Sequence, residues 1–286
     1  VQGLVFPLQV LLLKLFLNKD CIVLAQHHGE RPFKNRVKKT LQAYADKAIN
    51  GYLFTATGNA EMWVNADIIA NKAKCHQVLE AATFFTRIDK AEAIKTTGMD
   101  GSVNFLWVGR LNENKDPITV LNAFGIYASK NPGVRLYMIY QDGKLLPEVV
   151  SIIKESAALA NSITLVGKTE HSELPNWYSA ADYLLSGSHR EGSGYALIEA
   201  MACGCVPVVT DIPPFKAITN AGMYGYFYTP GDTQALYLLL DSLAHDKHKS
   251  LSDEIVQYSR EHLSFCKIAD DIHLVYKTIK TGRSAP

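Results

Sequence analysis

The sequence predicts an α/β protein of two doubly wound domains built on parallel sheets, the first of them incomplete. Three observations point there. Apolar runs of strand length alternate with helical patterns through most of the 286 residues, the signature of successive βα units. Runs such as Leu136-Tyr-Met-Ile-Tyr140 stay apolar without alternating, as strands covered on both faces do. The rhythm then lapses between Glu80 and Gly101, separating three strand candidates from six.

The composition excludes several classes. Hydrophobic residues make up 48% and charged residues 20%, the balance of an ordinary globular protein. A net charge of +1 gives no case for nucleic acid as a partner, and peripheral membrane contact is not indicated. The five cysteines, Cys21, Cys75, Cys203, Cys205 and Cys266, are odd in number and scattered, so they read as buried thiols of a reducing, cytoplasmic setting. Cys203-Gly-Cys205 has no second Cys/His pair to complete a zinc site, and no metal is expected. The opening run Leu4 to Leu17 is shorter than the ~20 residues of a spanning helix and contains Lys14. It lacks the basic start and cleavage site of a signal peptide, and a core helix is expected.

In the first domain, Cys21–Ala25, Tyr52–Phe54 and Gln77–Leu79 are the strand candidates, with helices over Phe33–Ile49 and Asn59–Ala70. Glu80 to Gly101 carries mixed charge and reads as the connector, ended by the Met99-Asp-Gly101 turn. The second domain offers strands at Val103–Val108, Val134–Tyr140, Ile163–Val166, Tyr183–Leu185, Val206–Val209 and Gly225–Tyr228. Helices are expected at Pro117–Ser129, Leu146–Leu159, Glu173–Ala181 and Gly194–Cys203, and again from about Asp232 to the end. We therefore assign residues 1–95 to the first domain with its connector, and 96–286 to the second with the C-terminal helices. A ligand is expected at the strands' C-terminal ends.

Two stretches could carry chemistry. Val108-Gly109-Arg110-Leu-Asn-Glu-Asn-Lys115-Asp-Pro117 ends the second domain's first strand. Gly109 permits a tight turn, and an Arg fork with a Lys point charge can grip a diphosphate. A basic residue after a strand is more often simply solvated, so this stretch alone is weak. The second runs Arg190-Glu-Gly-Ser-Gly-Tyr-Ala-Leu-Ile-Glu199 into Gly204-Cys-Val-Pro-Val-Val209. A glycine-rich turn feeding a helix aims free N–H groups at one point, which suits phosphate. Glu191 and Glu199 would repel phosphate and so face something else, such as sugar hydroxyls. Taken singly, Glu199 could be a solvated helix residue and Glu191 a surface partner of Arg190.

Taken together and in this order, with Pro230-Gly-Asp232 following, these residues resemble the donor-binding domain of GT-B glycosyltransferases, most closely family 4. Glu191 and Glu199 stand as that family's E-x7-E pair. The likeness is close over about 100–240 and loose over 20–80. It implies two Rossmann-like domains and anomer-retaining transfer of a sugar from a UDP-, GDP- or ADP-sugar to a sugar, lipid or other acceptor. It further implies that Arg110 and Lys115 neutralise the leaving diphosphate and that Glu191 contacts the donor sugar near the reacting centre. Gly109, Gly192 and the Ser193-Gly194-Tyr195 turn would line the donor, with Ala196 and Leu197 facing the phosphates. Glu199 would hold the ribose, and Gly167 with Lys168 would edge the nucleobase pocket. Family members often carry a His at the first-domain strand end matching Gln26-His27-His28-Gly29, so His27 or His28 would polarise the donor or bind the acceptor.

No Asp-x-Asp occurs in the chain, in keeping with the metal-free mechanism the resemblance implies and with no cofactor beyond the donor. A noncatalytic sugar-nucleotide-binding module is the alternative. A dehydrogenase on a similar sheet lacks its G-x-G-x-x-G here, where VGRLNEN stands. With three strand candidates against six, and no glycine-rich turn before Cys21, the expectation is that Val1 lies inside the first domain of a longer protein.

Overall fold

The protein is described from a computed structural model covering residues 1–17, 21–141, 143–243 and 248–282. Residues 244–247 and 283–286 of the predicted helical C-terminal stretch lie outside the described residues. The chain folds into two compact units. Among the described residues, each unit is built on one parallel sheet, of three strands in the first and six in the second.

The first unit holds residues 1–82, the short segment Glu191–Gly194 and the C-terminal stretch from Leu263. Its strands are β1 (Leu24–Gln26), β2 (Gly51–Phe54) and β3 (Cys75–Gln77), paired in that order with Ala25 opposite Tyr52 and Leu53 opposite His76. All four residues of the central strand are buried. The helix expected over Phe33–Ile49 starts later, at Arg36, because the Asn35 side chain accepts from Lys38 N–H and caps it. The helix expected over Asn59–Ala70 shrinks to a 3₁₀ turn and the single turn Glu61–Val64, after which Asp67 takes a positive φ and ends it.

Two further expectations change here. The opening stretch forms the helix Pro7–Phe16, yet only Pro7 and Val10 of it are buried, while Leu8, Leu12, Leu15 and Phe16 are exposed. A helix apolar all round can turn only one stripe to a single neighbour, so it is a flanking helix rather than a fully buried core helix. The last helix, Phe265–Thr281, packs with the first unit instead of the second. Its Ile268, Ile272, Val275 and Ile279 repeat at helical spacing and meet Leu24, Leu53 and Val78. Spacing alone shows that a helix has an apolar face, not which sheet it covers.

The second unit holds residues 83–190 and 195–262. Its strands are β4 (Asn104–Arg110), β5 (Arg135–Gln141), β6 (Ile163–Gly167), β7 (Tyr183–Ser186), β8 (Val206–Thr210) and β9 (Tyr226–Tyr228), all paired in parallel in the order β6-β5-β4-β7-β8-β9. Each lies within two residues of its predicted position. The connector contains a helix the apolar rhythm did not show, Lys90–Thr97, capped by Asp89 and stopped by Gly98 in the left-handed conformation. The helix expected over Leu146–Leu159 breaks at Ser156, whose extended backbone ends one helix and whose side chain caps the next.

The order of the second sheet sets the site. The chain builds outward from β4 through β5 to β6, then returns to the other side of β4 and builds β7, β8 and β9. The direction reverses between β4 and β7, which opens a crevice outside their C-terminal ends. Beneath it the core is aromatic: Phe105 stacks on Tyr183 at 5.3 Å and meets Phe124 edge-on at 5.4 Å.

Gly204, at φ +81°, turns the helix Tyr195–Ala202 into β8. A Cβ there would lie 2.7 Å from Ser252 Oγ and 3.0 Å from Arg87 Cδ, in a backbone region that L side chains avoid. Gly204→Ala should therefore cost about 1–3 kcal/mol. Urea unfolding of the two proteins measures it, and a loss below about 0.5 kcal/mol would show that the turn has slack.

Candidate functional site

Arg110 is the last residue of β4, and Lys115 follows it across a turn of four residues at the crevice. Asp116 closes that turn at φ +41°, a conformation that Asp tolerates better than most residues. Its carboxylate accepts from Thr119 N–H at 3.1 Å and Thr119 Oγ1 at 2.7 Å, capping the helix Pro117–Lys130 with Pro117 at its first position. His189 Nε2, in the loop after β7, lies 3.0 Å from Asp116 Oδ2. The same loop is laced to the β4 loop by three further bonds. His189 N–H donates to the Asn114 carbonyl at 2.8 Å, Asn114 Nδ2 to the Arg190 carbonyl at 3.0 Å, and Arg190 Nε to Asn114 Oδ1 at 3.3 Å.

The two loops are held this closely because Gly187 lets them meet. A Cβ on it would come within 2.6 Å of the Asp116 carbonyl. A cavity of about 450 Å³ opens beside them, lined by Arg110, Asn112, Asn114, Lys144, His189 and Arg190 among others. Its four basic side chains outnumber the one carboxylate in the lining, that of Glu113, and with the amide donors they suit an anion. Sequence reading found Arg110 and Lys115 but missed Asn114, Asp116 and His189. Asp116-Pro117 was a readable helix start, whereas the partners from the β7 loop were not.

Glu199 sits in the helix Tyr195–Ala202, directly behind Tyr195, Ala196 and Leu197. It is 6% exposed, so it is not a solvated helix residue. Tyr178 Oη donates to its Oε2 at 3.1 Å, and His171 Nε2 lies 2.8 Å from its Oε1. Burial and the carboxylate push the Tyr178 phenol well above its ordinary range, so it stays a donor. His171 is mostly exposed and leans on Phe85 at 4.7 Å. Gly167, at φ +84°, ends β6, and Lys168 follows it. Burial pushes the Cys203 thiol to about 12 and the Cys205 thiol well above its ordinary value, so neither is a thiolate at neutral pH. Among the described residues, no three His, Cys, Asp or Glu side chains converge to hold a metal ion.

Glu191, Gly192, Ser193 and Gly194 group with the first unit. Asn59 Nδ2 donates to the Glu191 carbonyl at 3.3 Å, and a Cβ on Gly192 would strike Gly29 N and the His28 backbone at 2.6 Å. Two glycines therefore permit the closest approach of these backbones. His27 and His28 differ sharply. His27 is 2% exposed, lies against Phe54 at 4.8 Å, and has both ring nitrogens engaged by main chain. Gly29 N–H donates to its Nδ1, so its Nε2 carries the proton and donates to the Glu30 carbonyl. His28 is the more exposed ring, and its Nδ1 bonds Glu80 Oε1. Of the two histidines, only His28 has a ring nitrogen left to offer a ligand.

Burial pulls the His27 imidazole below its ordinary value, against the opposing fields of Glu30 and Glu80. The unfolded chain then takes up this proton before the folded chain does. Stability should fall as pH drops below about 6.5, and the His27 share of that slope should vanish in His27→Gln. Urea midpoints at about pH 8 and about pH 5.5 test this. Equal slopes in both proteins would mean that His27 is not held neutral.

Comparison with known proteins identifies relatives of the chain and of its fold. The family model for glycosyl transferases group 1 matches residues 89–262. The D-inositol 3-phosphate glycosyltransferase of Segniliparus rotundus is 35% identical over 124 residues, 42% of this chain and 27% of that protein. The mannosylfructose-phosphate synthase of Agrobacterium fabrum is 30% identical over 146 residues, 49% of this chain and 32% of that protein. The chain thus matches well under half the length of these curated relatives. Among solved structures, the sucrose-phosphate synthase of Thermosynechococcus elongatus superposes with a TM-score of 0.76 at 17% identity, over 96% of this chain and 72% of that one. Anabaena HepE, solved in complex with UDP, superposes with a TM-score of 0.75 at 15% identity, over 90% and 72%. The fold is that of GT-B glycosyltransferases, and the sequence match extends over more than half of the protein: the chain belongs to the group 1 glycosyl transferases.

Proposed function

We propose that this protein is a retaining, metal-independent glycosyltransferase of the family 4 type, moving a sugar from a nucleotide-diphosphate sugar to a hydroxyl acceptor in the cytoplasm. The observation that carries the reading is the crevice between β4 and β7. Arg110 is held there among a cluster of donors, beside a cavity large enough for part of a nucleotide. Arg110 and Lys115 bind the diphosphate. Glu199, fixed by Tyr178 and His171, accepts from the ribose hydroxyls. Gly167 and Lys168 border the base, and the turn from Gly192 to Gly194 with Tyr195, Ala196 and Leu197 presents its amides to sugar and phosphate. Glu191 reads the donor sugar near its anomeric carbon. Complexes of Anabaena HepE with UDP and with UDP-glucose support a nucleotide-sugar donor.

In the reaction the bond from the anomeric carbon to the β-phosphate oxygen breaks. The acceptor oxygen forms its bond on the same face, and its proton passes to the departing phosphate. The chain's main task is then to stabilise negative charge as it develops on that oxygen, for which fixed cations and helix N–H groups are suited. Five free thiols fit a reducing compartment, and among the described residues no helix is long and apolar enough to cross a membrane.

Arg110→Ala should weaken nucleoside diphosphate binding by about 1.5–3 kcal/mol and leave the nucleoside nearly unaffected. Calorimetry with both ligands tests it, and equal losses would point to damage to the fold. Saturating chelator should leave donor binding and transfer unchanged. Loss on chelation, restored by Mg²⁺ or Mn²⁺, would overturn the metal-independent reading. Donor binding without transfer to any hydroxyl acceptor would instead identify a sugar-nucleotide-binding module.

A further inference from the structure

The C-terminal end of the first unit's sheet carries polar groups besides those assigned above to the diphosphate, ribose and base. His28 lies two residues past β1, Thr55 directly past β2 and Glu80 three residues past β3. Parallel pairing brings all three strand ends to one edge. Thr55 is buried and Glu80 half-buried, yet their shielded Thr55 Oγ1 and Glu80 Oε2 atoms have no hydrogen-bond partner among the described residues. The Glu80 side chain is only 8% exposed, so an idle carboxylate oxygen there is costly unless something fills it. Its other oxygen, Oε1, meets His28 Nδ1.

That one contact determines what His28 can do. A carboxylate only accepts, so Nδ1 must carry a proton, and in the neutral ring Nε2 then keeps its lone pair. His27, the preceding residue, holds the opposite tautomer through Gly29 and Glu30. Glu30 also braces the turn, its Oε2 accepting His28 N–H at 2.6 Å. The edge thus offers two hydrogen-bond acceptors, His28 Nε2 and Glu80 Oε2, beside the Thr55 hydroxyl and one further carboxylate, that of Glu30. Such a set fits a neutral ligand that donates hydroxyls and repels one bearing phosphate or carboxylate.

We propose that Glu80 is the positioning residue of a polyol-binding site at this edge, which receives the acceptor sugar. By accepting from Nδ1 it holds His28 with Nε2 free for an acceptor hydroxyl, takes a second hydroxyl on Oε2, and selects neutral acceptors over phosphorylated ones. The assignment of the polyol as acceptor rests on the glycosyltransferase reading. The tautomer and the preference for neutral ligands do not.

The test uses the whole chain and long-range ¹H–¹⁵N imidazole spectra at about pH 9, above the ordinary imidazole range. His28 should show the Nδ1–H tautomer in the wild type and in Glu80→Gln, whose amide oxygen can still accept, and lose it in Glu80→Leu. Methyl α-mannoside should perturb the His28 ring, and its affinity should fall about tenfold in Glu80→Leu, as for a lost hydrogen bond to a charged group. Mannose 6-phosphate should leave the ring unmoved. An Nε2–H tautomer in the wild type, no response to methyl α-mannoside, or an equal response to the phosphate would each overturn the proposal. Should Glu80→Leu not fold, the wild-type tautomer and the neutral-against-phosphorylated comparison decide alone. Failure to bind nucleoside diphosphate, with these results intact, would count against the donor function and not against this site.

Discussion

Parallel strand pairing is the constraint from which the rest of the structure follows. A parallel strand can join its neighbour only after the chain has crossed back over a sheet face, so every strand arrives pointing the same way. All the loops that leave the strands are then gathered at one edge of each sheet. In the second unit that edge carries Arg110, Gly167 and the β7 loop, and the reversal between β4 and β7 parts them enough to admit a ligand. In the first unit it carries His28, Thr55 and Glu80. Neither cluster needs its members near one another in sequence. The sheet order alone brings them together.

Burying charge at either edge of a sheet demands partners, and the chain supplies them in a consistent way. Asp182, just before β7, accepts from Asn104 N–H at 2.8 Å and pairs with Lys90, tying the starts of β4 and β7 together. Asp46 accepts from Tyr52 Oη at 3.0 Å and from Lys74 at 3.2 Å. Glu199 has Tyr178 and His171, and Asp116 has Thr119 and His189. Each carboxylate fixes the loop or helix end that bears it. Such pairs contribute more through the geometry they impose than through net free energy, because desolvation offsets most of the attraction. Against this pattern Glu80 stands out, with one oxygen engaged and the other, shielded from solvent, without a partner among the described residues.

Much of the fold and part of the site were legible in the sequence. Strands β4 to β9 could be read because residues covered on both faces must be apolar along their whole length, as in Leu136 to Tyr140. Gly204 and Gly194 marked turns because their positive φ is costly for any other residue. The Arg110, Lys115, Glu191 and Glu199 motifs could be read because local backbone chemistry sets their spacing. The short helix Lys90–Thr97 escaped notice since its apolar face is narrow, only Ala93 being fully buried. The break at Ser156 escaped notice because the apolar pattern runs on through it.

By itself, then, the sequence determined the α/β alternation and the positions of the turns, and it supplied the residues proposed to meet a donor. Only the tertiary structure decided which side chains those residues meet. Asn114 and Arg190 are 76 positions apart, His189 and Asp116 are 73 apart, and His28 and Glu80 are 52 apart. Strand order sets these pairings, and that order is a property of the whole sheet rather than of any segment. The adjacent rings of His27 and His28 show the consequence most clearly. They are chemically identical in sequence, but one is sealed among Phe54, Trp63 and main chain, while the other is turned toward a carboxylate. His27 takes its partners from the next turn of chain, whereas the Glu80 partner of His28 comes from another strand end, which no local pattern specifies.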